Sequence, residues 1–207
     1  FIYDAVTGAS LPEVAKVTGF PEIVKQSCCH VLNSRAMAIK YAKENGLDYR
    51  KINIVVVHMG GGISMSAHRQ GEIVDSIGDD EGQFSPERSG CVQLLEFLKL
   101  CYSGKYTYAE MKKKCRGKGG MAAYLGTSDA REIEKMIDGG DEKAKLLYDA
   151  EAYQVAKGIG QMSAVLKGDI RTIILTGGLA HSKRLTDAIT EYIKFIAPVT
   201  VMPGENE

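Results

Sequence analysis

The sequence predicts an α/β fold, a mixed sheet of about five strands with helices on both faces. Three observations carry this. Residues 54–57 are a short β-branched, apolar run, the pattern of a strand buried on both faces. Gly60, Gly61 and Gly62 follow, and beyond them Ile63, Met65 and Ala67 alternate with Ser64, Ser66 and His68 as a second strand. Residues 170–176 form a later β-branched strand that runs into Gly177-Gly178 and then a helix, the start of a β-α-β unit.

Taken in order, Phe1 to Asp4 reads as the end of a strand carrying Asp4 at its edge, and residues 11–18 as one or two helical turns. Pro21 suits the first turn of a helix. From there Val24, Cys28, Val31, Arg35, Ile39 and Ala42 recur at helical spacing up to an Asn45-Gly46 cap. His30 lies beside that stripe, with Ser27, Asn33 and Ser34 around it. It is either a satisfied, partly buried residue or a ring reachable from a cleft.

Residues 52–77 form a three-stranded meander with a turn at Gly71. The glycines therefore sit in a hairpin, where a Rossmann or P-loop fingerprint would need a helix next. Three residues without Cβ let backbone N–H groups approach a polyanion. An unliganded tight hairpin has the same composition, so both readings stand at this point.

The loop over residues 78–90 is dense in turn formers and charges, the kind of segment that carries function. Its Arg88 either clamps a phosphoryl or carboxylate group or pairs with Glu87 at the surface. Helices are expected over 92–101 and 108–115, with a break at Lys118-Gly119-Gly120-Met121. A helix over 130–137 follows, with Glu132 closing a capping box from Ser128 or Asp129. The long helix over 142–167 should turn Ala144, Leu147, Ala150, Tyr153, Val155, Ile159, Met162 and Val165 inward, with Gly158 and Gly160 permitting close packing. A helix over 182–197 and a strand over 199–202 complete the chain. The order β-β-β, helices, β-α-β is the RNase H-like arrangement of the actin/hexokinase superfold, in which a strand, glycine hairpin and strand meet phosphates.

Composition excludes several classes. The chain has 207 residues, 44% hydrophobic and 25% charged, with 26 basic and 26 acidic side chains. Zero net charge gives no footprint for a nucleic acid, and the basic cluster over 112–118 reads as a solvated helix end. Five cysteines without a C-x-x-C pair fit neither a disulfide framework nor a zinc site, and reduced thiols in a cytoplasm are expected. No apolar run approaches membrane-spanning length. The chain opens on Phe1 and ends at Glu207 without a terminal helix, as expected of part of a longer polypeptide.

With His58-Met59-Gly60-Gly61-Gly62 and Phe84-Ser85-Pro86-Glu87-Arg88-Ser89-Gly90 both present, the chain resembles the acetate kinase family of carboxylate kinases. The run Thr176-Gly177-Gly178-Leu179-Ala180-His181-Ser182 is similar to its butyrate kinase branch. The resemblance covers essentially the whole chain. It implies transfer of the ATP γ-phosphoryl group to a short-chain carboxylate such as butanoate, giving ADP and an acyl phosphate.

Asp4, His30 and Arg88 match the family's catalytic aspartate, histidine and arginine. His58, Gly60, Gly61 and Gly62 match its phosphate segment. Asp129 and Arg131, with Gly177, Gly178, Leu179, His181 and Ser182, match its nucleoside segments. Mg-ATP is the implied cofactor and a homo-oligomer the expected state, with no nucleic acid or membrane partner. His181 replaces a family glutamate proposed to help hold magnesium, so the metal's protein ligands stay unassigned. The resemblance further implies a hinge segment over 1–20 from an N-terminal domain outside this chain, the nucleotide-binding second domain over 21–203, and the start of a return segment over 204–207. Helices that pack on that absent domain should leave an exposed apolar patch. Other short acids (acetate, propionate, branched-chain) and a non-catalytic ATP-binding module are the alternatives.

Overall fold

The computed structural model describes residues 11–78 and 81–204. Five strands form one sheet: β1 (Asn53–Met59), β2 (Ile63–Arg69), β3 (Glu72–Ile77), β4 (Thr172–Gly177) and β5 (Val199–Pro203), in the order β3-β2-β1-β4-β5. β1, β2 and β3 pair antiparallel, whereas β4 runs parallel to both β1 and β5. The mixed sheet expected from sequence is the one observed. Parallel pairing sends the loops after β1 and β4 out of the same sheet edge, which is where open α/β sheets bind ligands.

Both faces of the sheet are covered, which is why its central strands read as continuous apolar runs. Val55, Val57, Met59, Ile173 and Leu175 face the core formed with α7 (Glu142–Val165) and α8 (Lys183–Ile193). Ile54, Val56 and Ile174 face Met37, Ala38 and Tyr41 of α2 (Val31–Glu44). A glycine is required where β4 leaves the sheet. Gly177 has φ +87°, and a Cβ there would stand 2.5 Å from the Met59 carbonyl oxygen.

Before α2, α1 (Glu13–Lys16) is a single turn, as expected. The helix expected from Pro21 starts only at Val31, so His30 is its N-cap residue rather than a helical one. Long-range contacts overrule the periodicity: Lys25 pairs with Asp75 at 3.1 Å and Ser27 Oγ bonds Ser76 Oγ at 3.2 Å, tying this stretch to β3.

Between the two halves of the sheet run α3 (Leu94–Cys101), α4 (Tyr108–Cys115), α5 (Gly120–Leu125) and α6 (Ala130–Asp138). Of these, α5 stands where a break was expected. Its Met121 and Ala122 N–H groups donate to the Ser85 and Pro86 carbonyls, so the preceding loop supplies the partners a helix start needs. The expected capping box on α6 is replaced: Asp129 caps by accepting from the Arg131 N–H, and the Glu132 carboxylate accepts from the Thr127 hydroxyl.

In α7 the expected Ala144, Val155, Ile159 and Met162 are buried, joined by Tyr148, Glu151 and Ala152, while Leu147, Ala150 and Val165 are half-buried and Tyr153 points outward against Tyr192. Gly158 does admit close packing, since a Cβ there would meet Met65 Sδ at 2.7 Å, but Gly160 faces open space. Exposed apolar side chains gather on Val14, Val17, Phe20, Ile23 and Val24, and on Leu94, Leu95, Leu98 and Tyr102 of α3 and its C-cap. Among the described residues no helix is long and apolar enough to cross a membrane, and none of the five cysteines is joined in a disulfide.

Candidate nucleotide and phosphoryl-transfer site

A cavity of about 730 Å³ opens at the sheet edge where β1 and β4 end. Three segments far apart in sequence converge on it: Gly60 and Gly61, Ser128 to Arg131 with Glu134, and Gly178, Leu179, His181 and Ser182. Each is delivered by a local device. The hairpin after β1 closes through Gly60 N–H to the Gly62 carbonyl at 2.9 Å. Asp129 caps α6, and Ser182 caps α8 by accepting from the Leu185 N–H at 3.0 Å. Gly177 turns the chain so that Gly178–His181, a short 3-10 helix, forms one wall.

The arginine loop is joined to the glycine hairpin. The Gly61 carbonyl accepts from the Ser85 hydroxyl at 2.7 Å and from the Glu87 N–H at 3.0 Å. The Glu87 carboxylate lies over Gly61, 3.2 Å from where a Cβ would be. That carboxylate also pairs with the Arg88 guanidinium at 3.4 Å and accepts from the Ser128 hydroxyl at 3.3 Å. The surface pair with Glu87 considered from sequence is therefore present, at the rim of the cavity.

His58, Gly62 and Gly177 do not line the cavity; they are buried beneath it. His58 Nδ1 meets Asn33 Oδ1 at 3.0 Å, and its ring stacks on His30 with centroids 3.9 Å apart. Burial, with the neighbouring His30 as a lesser cause, lowers its pKa to about 4, so the ring is neutral near pH 7. His30 is exposed and fixed from below. Ser64 Oγ accepts its backbone N–H at 3.2 Å and meets its Nδ1 at 2.8 Å. Asp4 lies outside the described residues.

Pro86, Ser128 and Glu134 reach the cavity without having been singled out from sequence. Pro86 belongs to the arginine-loop run and Ser128 is one of two capping candidates, while the one trace of Glu134 is its place four residues after Ala130, on the same face of α6. Its Oε1 accepts from the Tyr148 hydroxyl at 2.8 Å and the Ser182 hydroxyl at 2.5 Å. Burial pushes the Tyr148 phenol up, which keeps it a hydrogen-bond donor. Asp129 is held down at about 2 by the hydrogen bonds from Arg131, whose guanidinium sits 2.6 Å from its carboxylate.

The residues present fit a nucleotide. Bare backbone at Gly178, with nothing within 4 Å of a Cβ, and at Gly60, with neighbours no nearer than 3.6 Å, leaves room for phosphate oxygens, whereas the Glu87 carboxylate covers Gly61; the volume suits a ligand of that size. No group of three His, Cys, Asp or Glu side chains among the described residues is placed to hold a metal.

Such a sheet, with its cavity at the switch between antiparallel and parallel pairing, defines the actin-like ATPase fold. A crystal structure of Porphyromonas gingivalis acetate kinase superposes with a TM-score of 0.85 at 22% identity, over 94% of this chain and 57% of that one. A propionate kinase from Francisella tularensis superposes at 0.83 with 19% identity, over 95% and 59%. The chain belongs to the acetokinase family, whose model matches residues 24–197. It is 47% identical to butyrate kinase 2 and 46% identical to butyrate kinase 1 of Clostridium acetobutylicum, each over 209 residues. Both alignments cover all of this chain and 59% of the relative's length.

Proposed function

We propose that this chain is the nucleotide-binding part of a carboxylate kinase that phosphorylates butanoate or a similar short-chain acid with ATP. One observation carries the reading: the glycine hairpin, the Asp129–Arg131 segment and the Gly178–Ser182 segment share one cavity, with His30 and Arg88 tied to its hairpin edge. In the reaction a carboxylate oxygen attacks the γ-phosphorus, the bond to the β-phosphate oxygen breaks, and ADP leaves with an acyl phosphate as the other product.

Phosphoryl transfer needs positioning and charge compensation more than covalent catalysis. Gly60 and Gly61 would receive the phosphates, and Asp129, Arg131 and Gly178–Ser182 the nucleoside. Arg88 would neutralise the acid and the charge that develops on the transferring group. His30 would donate to that group's oxygens, its orientation set by Ser64 below and the neutral His58 ring beside it. Asp4 would orient the acid or the metal. Magnesium carried by the nucleotide's own phosphates would supply further charge neutralisation.

The reading further assigns residues 1–20 to a hinge from an N-terminal domain, residues 21–203 to the second domain and 204–207 to a return segment. It places the enzyme in the cytoplasm, where free thiols persist, and as a homo-oligomer. The test is an assay of the full-length polypeptide containing this chain, with Mg-ATP and acids of increasing chain length, the acyl phosphate being trapped by hydroxylamine. Hydroxamate formation that peaks at butanoate is expected. ATP binding with no hydroxamate from any acid would make the chain a nucleotide-binding module instead.

A further inference from the structure

Glu134 is a carboxylate with two differently employed oxygens. Oε1 is saturated by the Tyr148 and Ser182 hydroxyls, which also meet each other at 2.9 Å, so α6, α7 and the start of α8 are clamped on one atom. No hydrogen bond or ion pair among the described residues reaches Oε2, although the side chain lines the cavity. An ionised carboxylate only accepts. A ligand that covers Oε2 without offering a donor would leave a charged acceptor desolvated, which is far more costly than leaving it in water.

We propose that Glu134 is a specificity-determining residue that accepts a hydrogen bond from a donor group on the nucleoside through Oε2, with Tyr148 as the residue that positions it. This rests on the cavity being the nucleotide site. The chemistry selects an O–H or N–H at that position and penalises an acceptor there. On a purine nucleotide two groups qualify, a ribose hydroxyl and the 6-amino group of adenine. Because the clamp pre-orients the carboxylate, little rotamer entropy is lost when the ligand arrives.

The experiment is equilibrium titration of the full-length polypeptide containing this chain with ATP, 2′-deoxy-ATP, 3′-deoxy-ATP and purine riboside triphosphate, repeated on Glu134→Gln and Tyr148→Phe. Wild type should bind one of the three analogues at least tenfold more weakly than ATP. Glu134→Gln should weaken ATP by a similar factor and leave that one analogue nearly unchanged, so that the missing donor and the missing acceptor are not additive. Tyr148→Phe should show the same selective pattern with a smaller loss, and it serves as the test if Glu134→Gln does not fold. An unchanged ATP affinity in both variants, or an equal loss for all four nucleotides, would overturn the assignment and leave Glu134 a structural clamp. If wild type binds none of the four, the nucleotide reading of the cavity falls too; normal wild-type binding with insensitive variants removes this inference alone.

Discussion

The rings of His30 and His58 lie face to face, centroids 3.9 Å and planes 15° apart. Such a stack is comfortable only if the two rings are not both charged. Burial already decides which one stays neutral: His58 is 2% exposed and His30 is at the surface. His58 Nδ1 meets Asn33 Oδ1 at 3.0 Å, and its Nε2 lies 3.6 Å from the point a Cβ on Gly60 would occupy. A second buried ring, His68, is held between Tyr49 and Ser66, and its pKa falls to about 3 through burial and then the charge of Arg35.

These depressions fix a pH dependence of stability. Unfolded histidines titrate near 6.5, so below that pH the unfolded chain binds protons that the folded chain refuses. Their contribution is complete above pH 6.5 and is lost as pH falls, through about 4 for His58 and about 3 for His68. Each ring should remove roughly 1.4 kcal/mol per pH unit inside its window. The Glu151 carboxyl opposes the two rings above pH 4.5 by roughly one ring's worth, so urea midpoints should fall from pH 6.5 to pH 4 with about a single ring's slope, and His68→Gln should nearly flatten it. A midpoint independent of pH over this range would refute the account.

Glu151 makes the opposite demand. It is 1% exposed on α7, its Oε1 has no hydrogen-bond partner, and burial lifts its pKa to about 8. Unfolded, the same group ionises near 4.5, so its contribution is present in full below that pH and declines as pH rises towards 8. Glu151→Gln, uncharged at any pH, should therefore raise the urea midpoint at pH 7.5. The gain should be at most about 4 kcal/mol and should shrink towards zero at pH 4.5. Equal effects at both pH values would show that the carboxyl is not the source.

The sheet was legible because its strands carry their own signal. Residues 54–57 and 172–176 are β-branched, apolar and short, and burial on both faces is what such a run demands. The hairpin end of the cavity was legible for a similar reason, since consecutive glycines mark backbone that lies open to close approach, and Gly60 and Gly61 do line it. What local pattern could not give was anything decided by tertiary contact. Ser27 and Lys25 reach β3 and hold residues 25–29 out of a helix whose apolar spacing is nonetheless present. Helix α5 exists because Ser85 and Pro86 lend it carbonyls from another loop. Ser128 and Glu134 enter the site through the Glu87 carboxylate and the Tyr148 hydroxyl, partners 41 and 14 residues away.

Gly177 links the sheet to the cavity wall, and its conformation admits little else. At φ +87° an L side chain is strained, and the nearest atoms are Met59 backbone, which a rotamer change does not move. Gly177→Ala should cost more than about 3 kcal/mol of folding stability and shift the Gly178–His181 turn. Gly178→Ala, where a Cβ would meet nothing within 4 Å, should be nearly neutral for folding. Comparable urea midpoints for the two variants would contradict this reading.

On the proposed function, Arg88 acts in the chemistry and not in nucleotide binding, and the two can be separated by experiment. Its loop is held by backbone and by Ser85: the Arg88 N–H donates to Ser85 Oγ and the Arg88 carbonyl accepts the Ser85 N–H, both at 3.1 Å. Truncating the side chain therefore leaves the loop on the hairpin, where Glu87 N–H and Ser85 still hold the Gly61 carbonyl. The guanidinium is absent from the cavity lining, so ATP should bind Arg88→Ala within about threefold of wild type, while turnover of the full-length enzyme falls by at least about two orders of magnitude. Arg88→Lys keeps the charge and loses the planar fork that matches a carboxylate or phosphoryl group, so it should recover only a small part of the loss. Full recovery by lysine would mean that charge alone matters, and undiminished turnover in Arg88→Ala would remove the residue from the mechanism.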